Sequence, residues 1–120
     1  MKKDSGLADL EKMLKSSSRG STKVKGEELV VTRRDVLIQV NAFADGSYGF
    51  SARHHKENAP DERGFRILNG VFRKEGEVSE SGEYVFHNFN LKRNELDMVH
   101  KYLALIERVK PNELPAIFYV

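Results

Sequence analysis

The spacing of apolar residues changes once along this chain, and that change limits the folds open to it. From about residue 28 to residue 91 the pattern has a period of two, which puts alternate side chains on opposite faces of a strand. Between Asp35 and Phe43, Val36, Ile38 and Val40 take one face, while Leu37, Gln39, Asn41 and Phe43 take the other. Ala44-Asp45-Gly46-Ser47 supplies a tight turn, because Asp-Gly readily adopts positive φ. Tyr48 to His55 reads as the return strand, with Tyr48, Phe50 and Ala52 inward and Gly49, Ser51, Arg53 and His55 outward. Gly64 to Arg73 reads as a third strand bulged at Gly70, with Phe65, Ile67 and Val71 inward and Arg66, Leu68 and Phe72 outward. After an acidic connection from Lys74 to Gly82, Glu83 to Leu91 reads as the fourth strand. It points Val85, Phe89 and Leu91 in, and Tyr84, Phe86, Asn88 and Asn90 out.

Beyond Leu91 the period becomes that of a helix. Leu96, Val99, Leu103 and Ile106 form one stripe, and Met98, Tyr102, Leu105 and Val109 form a second beside it. Two stripes cover more of the circumference than one sheet needs, so the second stripe wants another apolar surface, either elsewhere in the chain or on a second copy. Met98, Tyr102, Leu105 and Val109 are the expected dimer interface in the latter case. Pro111 ends the helix, and the apolar run Pro115 to Val120 is expected to add a short terminal strand. At the other end, Leu7, Leu10, Met13 and Leu14 suggest a short amphipathic helix. The basic, serine-rich stretch from Lys15 to Gly26 that follows lacks apolar periodicity. Residues 1–26 therefore read as a flexible tail and 27–120 as one binding domain. The expected fold is α+β: a four-stranded antiparallel meander, one long C-terminal helix, a short terminal strand and a flexible N-terminal tail.

Composition narrows the chemistry. The chain has 120 residues, enough to bury one core, and no cysteine, which removes disulfides, thiol catalysis and cysteine-ligated zinc. No apolar stretch has membrane-spanning length and no apolar signal core follows Met1-Lys2-Lys3-Asp4, so a cytoplasmic protein with no membrane association is expected. With nucleic acid as the partner, the place would be the nucleoid or nucleus. His54 and His55 are adjacent and point to opposite faces of a strand, which disfavours a shared metal. The acidic residues lie in polar connections, and neither Ser47 nor Ser51 has the setting of an activated nucleophile. No catalytic residue, metal or cofactor is expected.

The outward face of the sheet carries the functional expectation. It is expected to combine Arg53, His55 and Arg66 with Phe43, Tyr84 and Phe86 and with the amides Asn41 and Asn88, Arg34 lying nearby. Aromatic rings stack on unpaired bases at about 1–3 kcal/mol each, arginines neutralise the intervening phosphates, and amides bond to base edges. A homodimeric, sequence-tolerant binding protein for single-stranded nucleic acid, DNA more than RNA, acting in replication, recombination or transcription, is expected. The rival is a small protein-interaction module, an inhibitor or adaptor of viral or mobile-element origin, that engages a protein partner through the aromatic face or an edge strand.

The order of four strands and a helix, and the junction Phe89-Asn90-Leu91-Lys92-Arg93-Asn94-Glu95-Leu96-Asp97-Met98-Val99, resemble the transcriptional positive-cofactor-four family and its Whirly relatives. The serine-rich Lys15 to Lys25 is similar to the leader of some members. The resemblance spans about residues 28–109 and implies a homodimer formed through the helix, binding single strands across curved sheets. It departs from the family at Glu75, Glu77, Glu80 and Glu83, which stand where the family is rich in glycine and lysine.

Overall fold

The computed structural model describes residues 5–17, 21–33 and 36–108. Short connections between successive antiparallel strands dictate a meander through the first half of the sheet. β1 (Ser21–Lys25), β2 (Glu28–Arg33), β3 (Val36–Ala42) and β4 (Tyr48–His55) each pair antiparallel with the next. Gly26 sits between β1 and β2 at φ +61°, a conformation that suits glycine. After β4 the chain leaves the sheet to form α2 (Glu62–Phe72), then returns as β5 (Glu77–Ser81) and β6 (Tyr84–Leu91). β6 inserts beside β4 and β5 takes the outer edge, giving a six-stranded sheet in the order β1-β2-β3-β4-β6-β5.

Three helices accompany this sheet. α1 (Ser5–Ser17) lies against β1 and β2, α2 against the β4–β6 region, and α3 (Asp97–Arg108) follows a 3₁₀ turn at Arg93–Glu95. All three contribute to one core with the same face of the sheet. That core holds Leu7, Leu10 and Leu14 of α1, Leu29, Val31, Ile38, Val40, Phe50, Val85 and Phe89 of the strands, and Phe65, Leu68, Val99 and Leu103 of the other helices. No helix among the described residues is long and apolar enough to cross a membrane.

This architecture corrects the four-strand, one-helix expectation in three places. First, the N-terminal stretch is structured: Leu7, Leu10 and Leu14 are buried, and the serine-rich segment ends in β1, whose Thr22 and Val24 face the core. Second, the segment read as a third strand is α2. Asp61 caps it by accepting the Gly64 N–H at 2.8 Å, Phe65 and Leu68 fall at i and i+3 on its buried side, and Arg73 ends it in the left-handed region at φ 54°. Third, the acidic connection contains β5, every residue of which is exposed.

The two stripes of α3 are both buried within the chain through Leu103. Met98 and Tyr102, expected to face a second copy, are 5% and 0% exposed, and Leu105 packs partly against the core. The extra apolar surface they need comes from α2, whose Phe72 stacks on Tyr102 with ring centroids 6.0 Å apart. Val109 and the expected terminal strand from Pro115 to Val120 lie outside the described residues.

Candidate functional site

A six-stranded sheet with its helices on one side leaves a second face, and among the described residues no helix covers it. Strand register aligns that face in rows. Lys23, Val30, Gln39, Ser51, Asn88 and Glu77 are successive cross-strand partners along one row. A neighbouring row runs Ser21, Thr32, Leu37, Arg53, Phe86 and Ser79, and a third brings Glu28, Asn41, Gly49 and Asn90 together. The alternation that buries Ile38, Phe50 and Phe89 on one side therefore places Asn41, Arg53, Phe86 and Asn88 together on the other.

At the centre, the Arg53 guanidinium lies 4.3 Å from the centroid of the Tyr84 ring, a cation–π contact. His55 meets the same ring edge-on at 5.8 Å, and its Nε2 lies 3.7 Å from Glu83 at the β5–β6 turn. Phe86 is half-buried beside Arg53 across the β4–β6 pairing. No carboxylate pairs with Arg53 among the described ion pairs, and its guanidinium rests against the ring face.

Toward the β3–β4 turn the face deepens into a groove of about 450 Å³ lined by Asn41, Phe43, Gly49, Ser51, Asn88, Asn90, Glu75 and Glu77. Phe43 leaves β3 at a turn closed by Phe43 N–H to Ser47 O at 2.9 Å, and its ring folds back over Gly49. A Cβ on Gly49 would stand 2.7 Å from Phe43 Cζ, so the absent side chain is what lets the ring lie on the sheet. Phe43 stays 51% exposed. Asn88 donates its amide N–H groups to Glu77 O and Ser79 Oγ, both at 3.3 Å, which leaves its carbonyl oxygen for another partner.

The structure thus gathers Arg53, His55, Tyr84, Phe86, Asn41, Asn88 and Phe43 on one face. It does not bring Arg66 to them. Arg66 projects from α2 on the opposite layer, exposed beside a groove of about 310 Å³ that includes Pro60, Glu62 and Val78. Arg34 lies outside the described residues. Its neighbour Arg33 is turned inward and buried, donating to Thr32 O at 3.0 Å and to Ser21 O and Thr22 Oγ1 at 3.3 Å. Phe72 belongs to the core.

Sequence reasoning missed a buried polar relay on the helix side. His54 Nε2 lies 2.8 Å from Tyr102 Oη, Tyr102 Oη 3.1 Å from His87 Nδ1, and His87 Nε2 2.8 Å from Asn69 Oδ1. Because Asn69 Nδ2 donates to Gly76 O at 3.2 Å, its Oδ1 must accept from His87. The remaining directions follow: Tyr102 donates to His87 Nδ1, and His54 Nε2–H donates to Tyr102. His54 Nδ1 is then left as a buried lone pair with no hydrogen-bond partner. Burial lowers the His54 pKa to about 4, and burial together with the nearby His54 lowers that of His87 to about 3. The Tyr102 phenol is pushed well above its ordinary value by burial. The signal for His87 was its parity with Val85 and Phe89; no periodicity pointed to Asn69. No group of three or more His, Asp or Glu among the described residues is placed to hold a metal ion.

Comparison with known protein families, characterised proteins and solved structures finds no match to this chain.

Proposed function

We propose that the uncovered sheet face binds single-stranded nucleic acid, DNA in preference to RNA, as a stoichiometric, sequence-tolerant interaction without turnover. The supporting observation is the co-location of Phe43, Tyr84 and Phe86 with Arg53, beside the amides of Asn41 and Asn88, on a face that no described helix covers. Bases splayed from a single strand stack on such rings, while a duplex hides its base faces. Lys23 on β1 extends the cationic side of the face beyond Arg53, Lys25 being opposed by its cross-strand partner Glu28, and it replaces Arg66 and Arg34 in this reading. The homodimer implied by the family resemblance is not needed for it, since Met98 and Tyr102 are already buried.

Titration of labelled single-stranded DNA, single-stranded RNA and duplex across a salt series tests the reading. Single strands are expected to bind more tightly than duplex, with an affinity that falls as salt rises. Arg53→Ala is expected to lower the magnitude of the log–log salt slope by about 0.7, the loss of one phosphate contact on a single strand. Phe86→Ala is expected to weaken binding by about 5- to 150-fold, the equivalent of one stacked base. Absent binding at low salt, or a slope unchanged by Arg53→Ala, would overturn the proposal.

One observation supports a protein-interaction reading instead. β5 is an edge strand with all five residues exposed, a geometry to which an extended segment can add. Binding through backbone pairing at that edge would be nearly indifferent to salt and to Arg53→Ala.

A further inference from the structure

The groove under Phe43 differs chemically from the rest of the face. Its ring supplies a flat apolar surface, and the two charged groups beside that ring, among the neutral Asn41, Ser51, Asn88 and Asn90, are both carboxylates. Glu75 and Glu77 offer only acceptor oxygens, and the Asn88 amide has committed its N–H groups to Glu77 O and Ser79 Oγ. A phosphate is repelled by such a lining, whereas a planar ring that carries N–H donors on its edge is complemented by it. The volume of about 450 Å³ lies within the range of about 300–1,000 Å³ typical of small-ligand sites, and it suffices for one base with its sugar. Arg53 stands four residues along β4 from Gly49, about 13 Å away, so a strand anchored there can keep its phosphates clear of the two glutamates.

The geometry points to a nucleobase subsite between Phe43 and Glu77 that selects bases bearing an exocyclic amino group, such as cytosine, over thymine. The base stacks on the outer surface of the Phe43 ring and donates its amino hydrogens to the Glu77 carboxylate and Asn88 Oδ1. A carboxylate accepts from the cytosine amino group but faces a carbonyl oxygen at the same position of thymine. Gly49 is the positioning residue, because any side chain there displaces the ring. The inference rests on the sheet-face reading above and narrows its sequence tolerance at this one base position.

Competition between oligo(dC) and oligo(dT) of equal length, at mildly alkaline pH where cytosine is unprotonated and both strands are unpaired, tests it on the full chain. Oligo(dC) is expected to bind about fivefold or more tightly than oligo(dT). E77Q, which offers a donor where thymine has its carbonyl, is expected to remove most of that preference while retaining binding. Gly49→Ala should weaken oligo(dC) binding in the manner of Phe43→Ala, because the clash falls on the far end of a movable side chain and the fold persists. Circular dichroism of Gly49→Ala confirms that the comparison is made on folded protein. Equal affinity for the two strands, or a preference unchanged by E77Q, would overturn the subsite and leave sheet-face binding standing. Absence of binding to either strand would overturn both.

Discussion

Two histidines held in the core without a counter-charge tie the stability of this molecule to pH. His54 and His87 are neutral when folded, with pKa values lowered to about 4 and about 3 from the ordinary 6.5. Above that ordinary value neither the folded nor the unfolded chain protonates them, and their full contribution is present. As pH falls below it, the unfolded state takes up protons that the folded state refuses, so stability is lost progressively. The loss continues to about pH 4 for His54 and about pH 3 for His87. Chemical denaturation at pH 7 and pH 5 should show a drop on the order of 2 kcal/mol or more, before most carboxylates titrate. An unchanged midpoint would mean that the rings are not buried as described. The same relay fixes Gly76. A Cβ there would stand 2.5 Å from His87 Nε2 and 2.6 Å from both Asn69 Oδ1 and Phe89 Cε1. Gly76→Ala should therefore cost about 1–3 kcal/mol, read as a lower denaturation midpoint. Gly49→Ala, which meets only the movable end of Phe43, should cost much less.

Among the elements, α2 decides how the faces are assigned. Its cap at Asp61 supplies the one hydrogen bond that an alanine cannot, so Asp61→Ala should lower stability by about 0.5–2 kcal/mol. Leu68, fully buried between α2 and the sheet, should cost about 2–5 kcal/mol as Leu68→Ala. Thermal or urea denaturation measures both. The helix was hard to see because Ile67 and Val71 are β-branched, Gly70 interrupts it, and Phe65-Arg66-Ile67 alternates over three residues. The legible signal was Pro60-Asp61-Glu62, a capping residue followed by an acidic first turn. By contrast β4 was legible from its alternation of Tyr48, Phe50 and Ala52 with Gly49, Ser51 and Arg53, and β3 from Ile38, Gln39, Val40 and Asn41. β6 carries aromatics on both faces, and its parity was fixed only by Asn88 and Asn90. β5 was not legible, because neither of its faces is buried and a strand without a dry side leaves no hydrophobic period. α1 was visible as a helix, but its commitment to the core was hidden by the serine-rich stretch behind it, where tertiary pairing with β2 overrides composition.

For the whole molecule, one side of the sheet holds the core and the other holds the candidate site, so most of the site was legible wherever the strands were. Asn41, Arg53, His55, Tyr84, Phe86 and Asn88 follow from parity alone, whereas Arg66 was displaced with its helix. The exposed face is also graded in charge. Lys23 lies on β1 and Arg53 in the middle, while Glu77 lies on β5 and Glu75 just before it; Lys25 on β1 faces Glu28 across the β1–β2 pairing. A strand crossing this gradient is expected to keep its phosphates toward β1 and β4 and to present bases toward β6 and β5. The most direct test is a ¹⁵N–¹H correlation spectrum of the labelled protein, following the side-chain amide signals as single-stranded DNA is added. Gln39, Asn41, Asn88 and Asn90 lie on the uncovered face, and Asn69 lies in the relay behind the sheet. The first four should shift in a salt-dependent way while Asn69 stays fixed. Shifts confined to Asn69 and the helices, or no shifts at all, would contradict binding at the uncovered face.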